Sequence, residues 1–178
     1  MTALLAVTII GRDRPGLVNA VSEAVAAFGG SWLESRMARL AGEFAGIVLV
    51  DVSEANVEGL TAALRALELK GLRATVARSA AEHRPAGCKS LKLDLVGHDR
   101  PGIVRDITHV LTRLGVNIEE FTSSITSASF SGETLFQATA RLRVMGDVAV
   151  DDLSKQLERL ADEIMVDITL DEDSQTSA

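Results

Sequence analysis

Aromatic residues are scarce in this chain of 178 residues. They make up 3 % of it, with Trp32 alone, five Phe and no Tyr. Any core must therefore be built from Leu, Val, Ile and Ala, and an apolar share of 47 % is enough for that. Cysteine is scarcer still. Cys88 stands alone, which excludes an internal disulfide and any multi-cysteine metal site. Positive charge is in deficit: the formal net charge is −7. That argues against a nucleic-acid partner, which needs a clustered basic surface, and against an anionic membrane surface. No apolar run reaches the ~18 residues that span a bilayer. The segment Met1 to Ile10 has neither the basic region nor the small-residue cleavage site of a signal peptide. The expectation from these absences is a soluble cytoplasmic protein with no direct nucleic-acid or membrane contact.

What is present is a repeat. Gly11-Arg-Asp-Arg-Pro-Gly16 recurs 86 residues later as Gly97-His-Asp-Arg-Pro-Gly102. Without a gap, Leu17, Val18, Val21, Ala24, Val25 and Phe28 align with Ile103, Val104, Ile107, Val110, Leu111 and Leu114. Their spacing marks one face of a helix. Gly29 and Gly115 follow, where a helix C-cap glycine belongs. The chain is a tandem duplication.

Each copy predicts the same order of elements. First strands fall at Leu4–Ile10 and Ser90–Val96, both apolar at most positions, as central strands covered by helices would be. Helices follow at Gly16–Phe28 and Gly102–Leu114, then second strands at Ser31–Leu40 and Asn117–Thr126. Ala41-Gly42-Glu43 reads as a short hairpin turn, and Ser127–Gly132 as a longer, mobile Ser/Thr-rich connection. Third strands are Phe44–Val52 and Leu135–Val144. Second helices carry Val57, Leu60, Leu64 and Leu67 in one copy and Leu153, Leu157 and Leu160 in the other. Final strands are Leu72–Ala77 and Ile164–Leu170. The order β-α-β-β-α-β, twice, is the split βαβ, ferredoxin-like arrangement of the α+β class. Each copy should be a four-stranded antiparallel sheet with two helices on one face, leaving the other face free. The expected division is 1–79, a linker 80–89, a second domain 90–170 and a disordered tail 171–178.

Each copy leaves two strand edges open, and open edges invite pairing. The two copies are expected to join through edge strands, with Trp32, Arg36, Glu119 and Phe121 near the seam if the second strands meet. A homodimer is equally allowed.

The repeated turn carries the functional signal. Gly11 and Gly97 would let the backbone leave the strand at φ values closed to other residues. Pro15 and Pro101 suit a first helical turn, and Asp13 and Asp99 can cap its free N–H groups. Gly16 and Gly102 leave those groups open to a small anion, for which the carboxylate of an amino acid is a fit. Ordinary turn chemistry also explains the glycines, prolines and aspartates. Arg14 and Arg100 are another matter. Neither turn geometry nor capping asks for an arginine, yet both copies have one. It could hold a carboxylate or salt-bridge across a domain seam.

A β-α-β-β-α-β unit with Asp-Arg-Pro-Gly opening its first helix and Asn-Ile opening its second strand resembles the ACT domain. A tandem pair of this length resembles the glycine cleavage system transcriptional repressor group. The resemblance covers residues 3–170. It implies a non-enzymatic regulatory protein that binds a small amino acid, with glycine suggested, at the interface between paired units. It places the contacts on Asp13, Arg14, Pro15, Gly16 and Ser31 in copy one, and on Asp99, Arg100, Pro101, Gly102 and Asn117 in copy two. Ser31 stands where the family has the asparagine matched by Asn117, so the second loop is expected to be the better binder. The implied macromolecular partner is a DNA-binding transcriptional activator rather than DNA.

Other constellations are bland. His98-Asp99 has Arg12 in place of the histidine in the first copy and no nucleophile pattern beside it, so no catalytic residue is assigned. His83, His98 and His109 lack ligand spacing, so no metal or cofactor is expected. Glu119 and Glu120 adjoin in a strand and should face opposite ways. Glu34 matches Glu120, as a solvated strand face would allow. The third strands lack the aromatic row with which RNA-binding domains of this fold stack bases. An amino-acid sensor, a ligand-independent interaction module and an enzyme remain, in that order.

Overall fold

A computed structural model of the chain describes residues 1–80, 87–127, 134–146 and 148–172. The chain divides into two compact units, Met1–His83 and Arg84–Ala178. The first runs β1 (Thr2–Arg12), α1 (Leu17–Ala27), β2 (Ser31–Leu40), β3 (Glu43–Ser53), α2 (Val57–Ala66) and β4 (Leu72–Arg78), with a 3₁₀ turn Leu67–Lys70 after α2. The second runs β5 (Lys89–His98), α3 (Ile103–Arg113), β6 (Asn117–Ser127), β7 (Thr134–Val144), α4 (Val150–Ile164) and β8 (Val166–Glu172). The sheets are ordered β2-β3-β1-β4 and β6-β7-β5-β8, antiparallel at every pairing. Both units have the ferredoxin-like βαββαβ architecture read from the sequence.

The strands are less uniformly apolar than their composition implies. In β1, Ala3, Leu5, Val7 and Ile9 are buried and the residues between them are not; in β5 the buried set is Leu91, Leu93, Leu95 and Gly97. That period of two gives each sheet one face toward its helices. Leu17, Val21 and Val25 of α1 close one core with Leu60 and Leu64 of α2. Ile103, Ile107 and Leu111 of α3 close the other with Leu153 and Leu157 of α4. Each fully buried Leu contributes about 1.5–3 kcal/mol relative to an exposed one, so these stripes are what hold the helices down.

Some boundaries move. Ile164 ends α4 and is not in a strand; Met165 then takes a left-handed conformation at φ 53°, and β8 begins at Val166. β8 extends through Asp171 and Glu172, which face Lys92 and Leu91, and β5 takes in Lys89 opposite Val144. The rest of the tail, and the connection expected at Ser127–Gly132 beyond Ser127, lie outside the described residues, as does most of the linker.

The β2–β3 hairpin is tighter than read. Its loop is Ala41-Gly42 alone, with Leu40 facing Glu43 and φ of 51° and 85°. Two consecutive positive φ values are the type I′ signature, which alanine fills poorly. Ala41→Asn should therefore raise the stability of the first domain by about 0.5–1 kcal/mol, read as a higher urea midpoint at unchanged slope.

Candidate functional site

The Asp-Arg-Pro-Gly loops join β1 to α1 and β5 to α3. In both, the left-handed residue is the second glycine of the motif: Gly16 has φ 92°, ψ 2° and Gly102 φ 91°, ψ −1°. Arg100-Pro101-Gly102-Ile103 is closed by the Ile103 N–H donating to the Arg100 carbonyl at 3.5 Å. Proline second and a positive-φ glycine third define a type II turn. The helices begin only at Leu17 and Ile103. Pro15 and Pro101 thus shape a turn ahead of the helix and do not occupy its first position. Gly11 and Gly97 do not have positive φ. They are glycine because a Cβ would lie 2.4 Å from the Gly71 carbonyl oxygen or 2.3 Å from Val166 Cγ1.

Asp13 and Asp99 do not cap the helices, since neither helix has a side-chain cap. They anchor the loops to the hairpins instead. The Asp13 N–H donates to the Gly42 carbonyl at 2.9 Å, and its carboxylate pairs with Arg39 Nε at 2.6 Å. The Asp99 N–H donates to the Thr134 carbonyl at 3.0 Å. In both copies the loop is fixed against the neighbouring strands, while the first-turn N–H groups of α1 and α3 receive no side-chain oxygen.

The two arginines have structural partners after all, and different ones. Arg14 Nη2 donates to the carbonyl of Lys70, at the C-terminus of the 3₁₀ turn, where carbonyls lack helical partners. Arg100 Nη2 bonds Asp106 Oδ2 at 2.6 Å, and Arg105 holds the other oxygen through Nε at 3.0 Å and Nη2 at 2.9 Å. Arg100 Nε is shielded from solvent and has no partner. The first copy has Asn19 and Ala20 where the second has Arg105 and Asp106, so Arg14 has no such carboxylate to hold. The sequence reading missed this acid, although an aspartate in the first turn of a helix, beside its positive end, is a readable signal.

Hydrogen bonds from Arg100, then from Arg105, hold the Asp106 carboxyl below its ordinary value. A depressed folded-state pKa favours folding in full above the unfolded value of about 3.9, and that contribution is lost as pH falls toward the folded value. Acid unfolding of the second domain should therefore steepen below about pH 4, and Asp106→Asn should flatten that limb. Parallel pH melts of the two proteins read the difference.

The strand starts lie elsewhere. Ser31 faces Asp51, which faces Leu4, whereas the loop leaves β1 beyond Gly11. Asn117 faces Arg143, which faces Ser90, whereas the second loop leaves β5 beyond Gly97. Seven residues at about 3.4 Å each separate the levels, so loop and strand start stand about 24 Å apart along the sheet, at opposite ends of their domain. Neither domain brings both groups together.

Each edge strand has a β-bulge just past this start, between Trp32 and Glu34 and between Ile118 and Glu120. The bulge overturns the expectation that Glu119 and Glu120 cannot act together. The extra residue breaks the alternation. Arg141 contacts both, Glu120 through Nη2 and Glu119 through Nε at 3.9 Å, and Arg143 Nε lies 3.4 Å from Glu119. Glu34, the counterpart of Glu120 in the first copy, instead pairs with Arg36 at 3.3 Å.

Two clefts adjoin these elements. One of about 340 Å³ lies against Ile10, Gly11, Glu43, Glu68, Gly71 and Arg73, beside the first loop. The other, about 320 Å³, is a hollow of mixed character on the second sheet, with Asp94, Thr122, Gln137 and Thr139 beside Val96 and Ala138. Neither is lined by the Asp-Arg-Pro-Gly residues. Among the described residues no group of His, Cys, Asp and Glu could hold a metal ion, and no helix is long and apolar enough to cross a membrane.

A duplicated βαββαβ unit with a rigid turn at the start of its first helix is what both halves of the chain share. Models of the ACT domain match residues 3–77 and 93–163, and the chain belongs to the ACT-domain proteins, with two such domains in tandem. The glycine cleavage system transcriptional repressors of Escherichia coli (strain K12) and Shigella flexneri are each 31 % identical to it over 123 residues. Those matches cover 67 % of this chain but 63 % of each relative, so under two thirds of their length is matched. A crystal structure of an unknown protein from Galdieria sulphuraria is 32 % identical, with a TM-score of 0.88 over 97 % of this chain and 99 % of that one. A provisionally named glycine cleavage system transcriptional repressor of known structure, 20 % identical, shares the fold with a TM-score of 0.69 over 97 % and 99 % of the two chains.

Proposed function

We propose that the protein is a non-enzymatic regulator that binds a small amino acid and modulates a partner, a transcriptional regulator of glycine metabolism. The observation that carries this reading is the pair of loops. In both domains an arginine stands beside a helix N-terminus with no side-chain cap, on an ACT framework. Such a helix end favours a carboxylate, and a guanidinium can bind one in bidentate fashion. The loop residues Asp13, Arg14, Pro15 and Gly16, or Asp99, Arg100, Pro101 and Gly102, would receive the carboxylate. Ser31 or Asn117 would meet the other end of the ligand. Since these groups stand about 24 Å apart in a domain, no single domain brings both to one small ligand. Asn117 offers an amide donor and acceptor where Ser31 has one hydroxyl, which favours a site that includes Asn117. The curated relatives are named as transcriptional repressors of the glycine cleavage system, which supports a role in glycine metabolism; glycine as ligand and a DNA-binding activator as partner are what the family resemblance implies. The negative charge fits a protein partner better than DNA.

One finding favours a second reading, a ligand-independent interaction module. Arg14 and Arg100 both have intramolecular partners, so their presence in both copies has a structural explanation. Thermal shift of the full chain against the twenty amino acids separates the two. The sensor predicts that one or a few small amino acids raise the melting temperature in a saturable way, by mass action on the folded state. The module predicts that none does.

A further inference from the structure

The two sheets are alike in topology and opposite in the chemistry of their helix-free faces. Residues paired across neighbouring strands share a face, so the registers give each face directly. On the second sheet that face is polar: Arg141, Thr139 and Gln137 of β7 lie beside Lys92 and Asp94 of β5. Its groups satisfy one another, with the Thr139 hydroxyl donating to Asp94 at 2.7 Å and Lys92 pairing with Asp94 at 2.7 Å. Such a face is at rest in water.

On the first sheet most of the same positions are apolar, with Thr8, paired with Thr75, as the polar residue between them. Leu4, Ala6 and Ile10 of β1 lie beside Asp51, Leu49, Ile47 and Ala45 of β3, with Ala38 and Leu40 of β2 at the flank. Ile10 is 47 % exposed, Ile47 54 % and Leu40 79 %. The apolar residues adjoin one another along β3 through Ala45, Ile47 and Leu49, and a largely apolar face of this kind marks an interaction surface.

We propose that this face is the interface of a symmetric dimer, its occupant the same face of a second copy of the chain. Size and charge both select that occupant. Four strands at about 4.8 Å and about nine residues at 3.4 Å make a face near 600 Å², so two such faces together bury about 1,200 Å². That is the lower bound of a stable interface, reached only if the whole face is engaged. A second flat, twisted sheet engages all of it, stacking about 10 Å away as in a β-sandwich; a loop or a single peptide strand does not. The charges around the apolar centre are Arg12, Arg36 and Arg73 against Glu34, Glu43 and Asp51. They cancel, so two copies of a chain carrying a net −7 meet here without like-charge repulsion. A two-fold axis lets each basic group find an acidic one on the other copy.

The test is the mass of the full chain by sedimentation and light scattering, with Ile47→Glu and Ile10→Glu as variants and Gln137→Glu on the other sheet as control. The wild type and the control should be dimers at about 10 μM, and each isoleucine variant should raise the dimer dissociation constant at least about a hundredfold, because a carboxylate would be buried in an apolar centre. Ile47→Thr keeps a strand-forming residue and should weaken the dimer about tenfold, which preserves the reading if a glutamate variant fails to fold. A wild type that is monomeric throughout, or a dimer that survives folded Ile47→Glu or Ile10→Glu unchanged, overturns the proposal.

Discussion

Replacing Gly11 by alanine is expected to destabilise the first domain by about 3 kcal/mol, a large share of what a small domain has. The new Cβ would stand 2.4 Å from the Gly71 carbonyl oxygen and 3.3 Å from the Leu72 Cα. That obstacle is backbone. Gly71 is fixed at φ 75° as the end of the 3₁₀ turn, and Leu72 is hydrogen-bonded opposite Gly11 and buried. Relief requires β4 to move away from β1, which breaks the pairing that holds it. The matching change, Gly97→Ala, meets mainly the side chain of Val166, at 2.3 Å from Cγ1 and 2.8 Å from Cβ. Val166→Ala removes Cγ1 but leaves Cβ at 2.8 Å and the backbone Cα at 3.1 Å, so it should relieve the strain in part, whereas no trimmed side chain gives comparable relief to Gly11→Ala. Chemical unfolding of the two singles and the double variant decides this; equal rescue in both domains would mean that the obstruction is not where the structure puts it.

The second large effect concerns affinity. Arg100→Ala should weaken amino-acid binding by roughly 10- to 100-fold, the worth of one charge-assisted hydrogen bond. The neighbourhood adds a sign that a general loss of stability would not. In the free protein Asp106 occupies the guanidinium that the ligand's carboxylate would need. Asp106→Asn removes that competitor and should tighten binding while Arg100→Ala loosens it. Calorimetric titration of both variants reads the two directions. If both weaken binding equally, Asp106 orients Arg100 rather than competing for it.

Most of the fold was legible because a duplicated pattern checks itself. The stripe Leu17, Val21, Val25 recurs as Ile103, Ile107, Leu111, and all six are buried. What was not legible depends on residues distant in sequence. Arg14 reaches the Lys70 carbonyl across 56 positions, and no local pattern announces it. The bulges at Leu33 and Glu119 fall in edge strands that are exposed along most of their length, so no buried alternation marks a slip of one residue. The glycines of the motif were identified correctly as special, with their reasons interchanged. Positive φ belongs to the last glycine and close approach to the first, and composition cannot separate the two. The 24 Å between loop and strand start follows from the helix that carries the chain back down the sheet, and it was readable from the βαβ order. The contrast between the sheet faces was readable too, in Leu4, Ala6, Thr8 and Ile10 against Ser90, Lys92, Asp94 and Val96, once the period of two was taken in place of the average.

The measurement that bears most directly on the proposed function is a backbone amide spectrum of the full chain during titration with glycine and other small amino acids. The account predicts saturable shifts at Gly102 and Ile103, where the uncapped helix N–H groups lie, and at Asn117. Shifts confined to other residues, such as those around Asp94 and Thr139, or no saturable shift with any small amino acid, would contradict it.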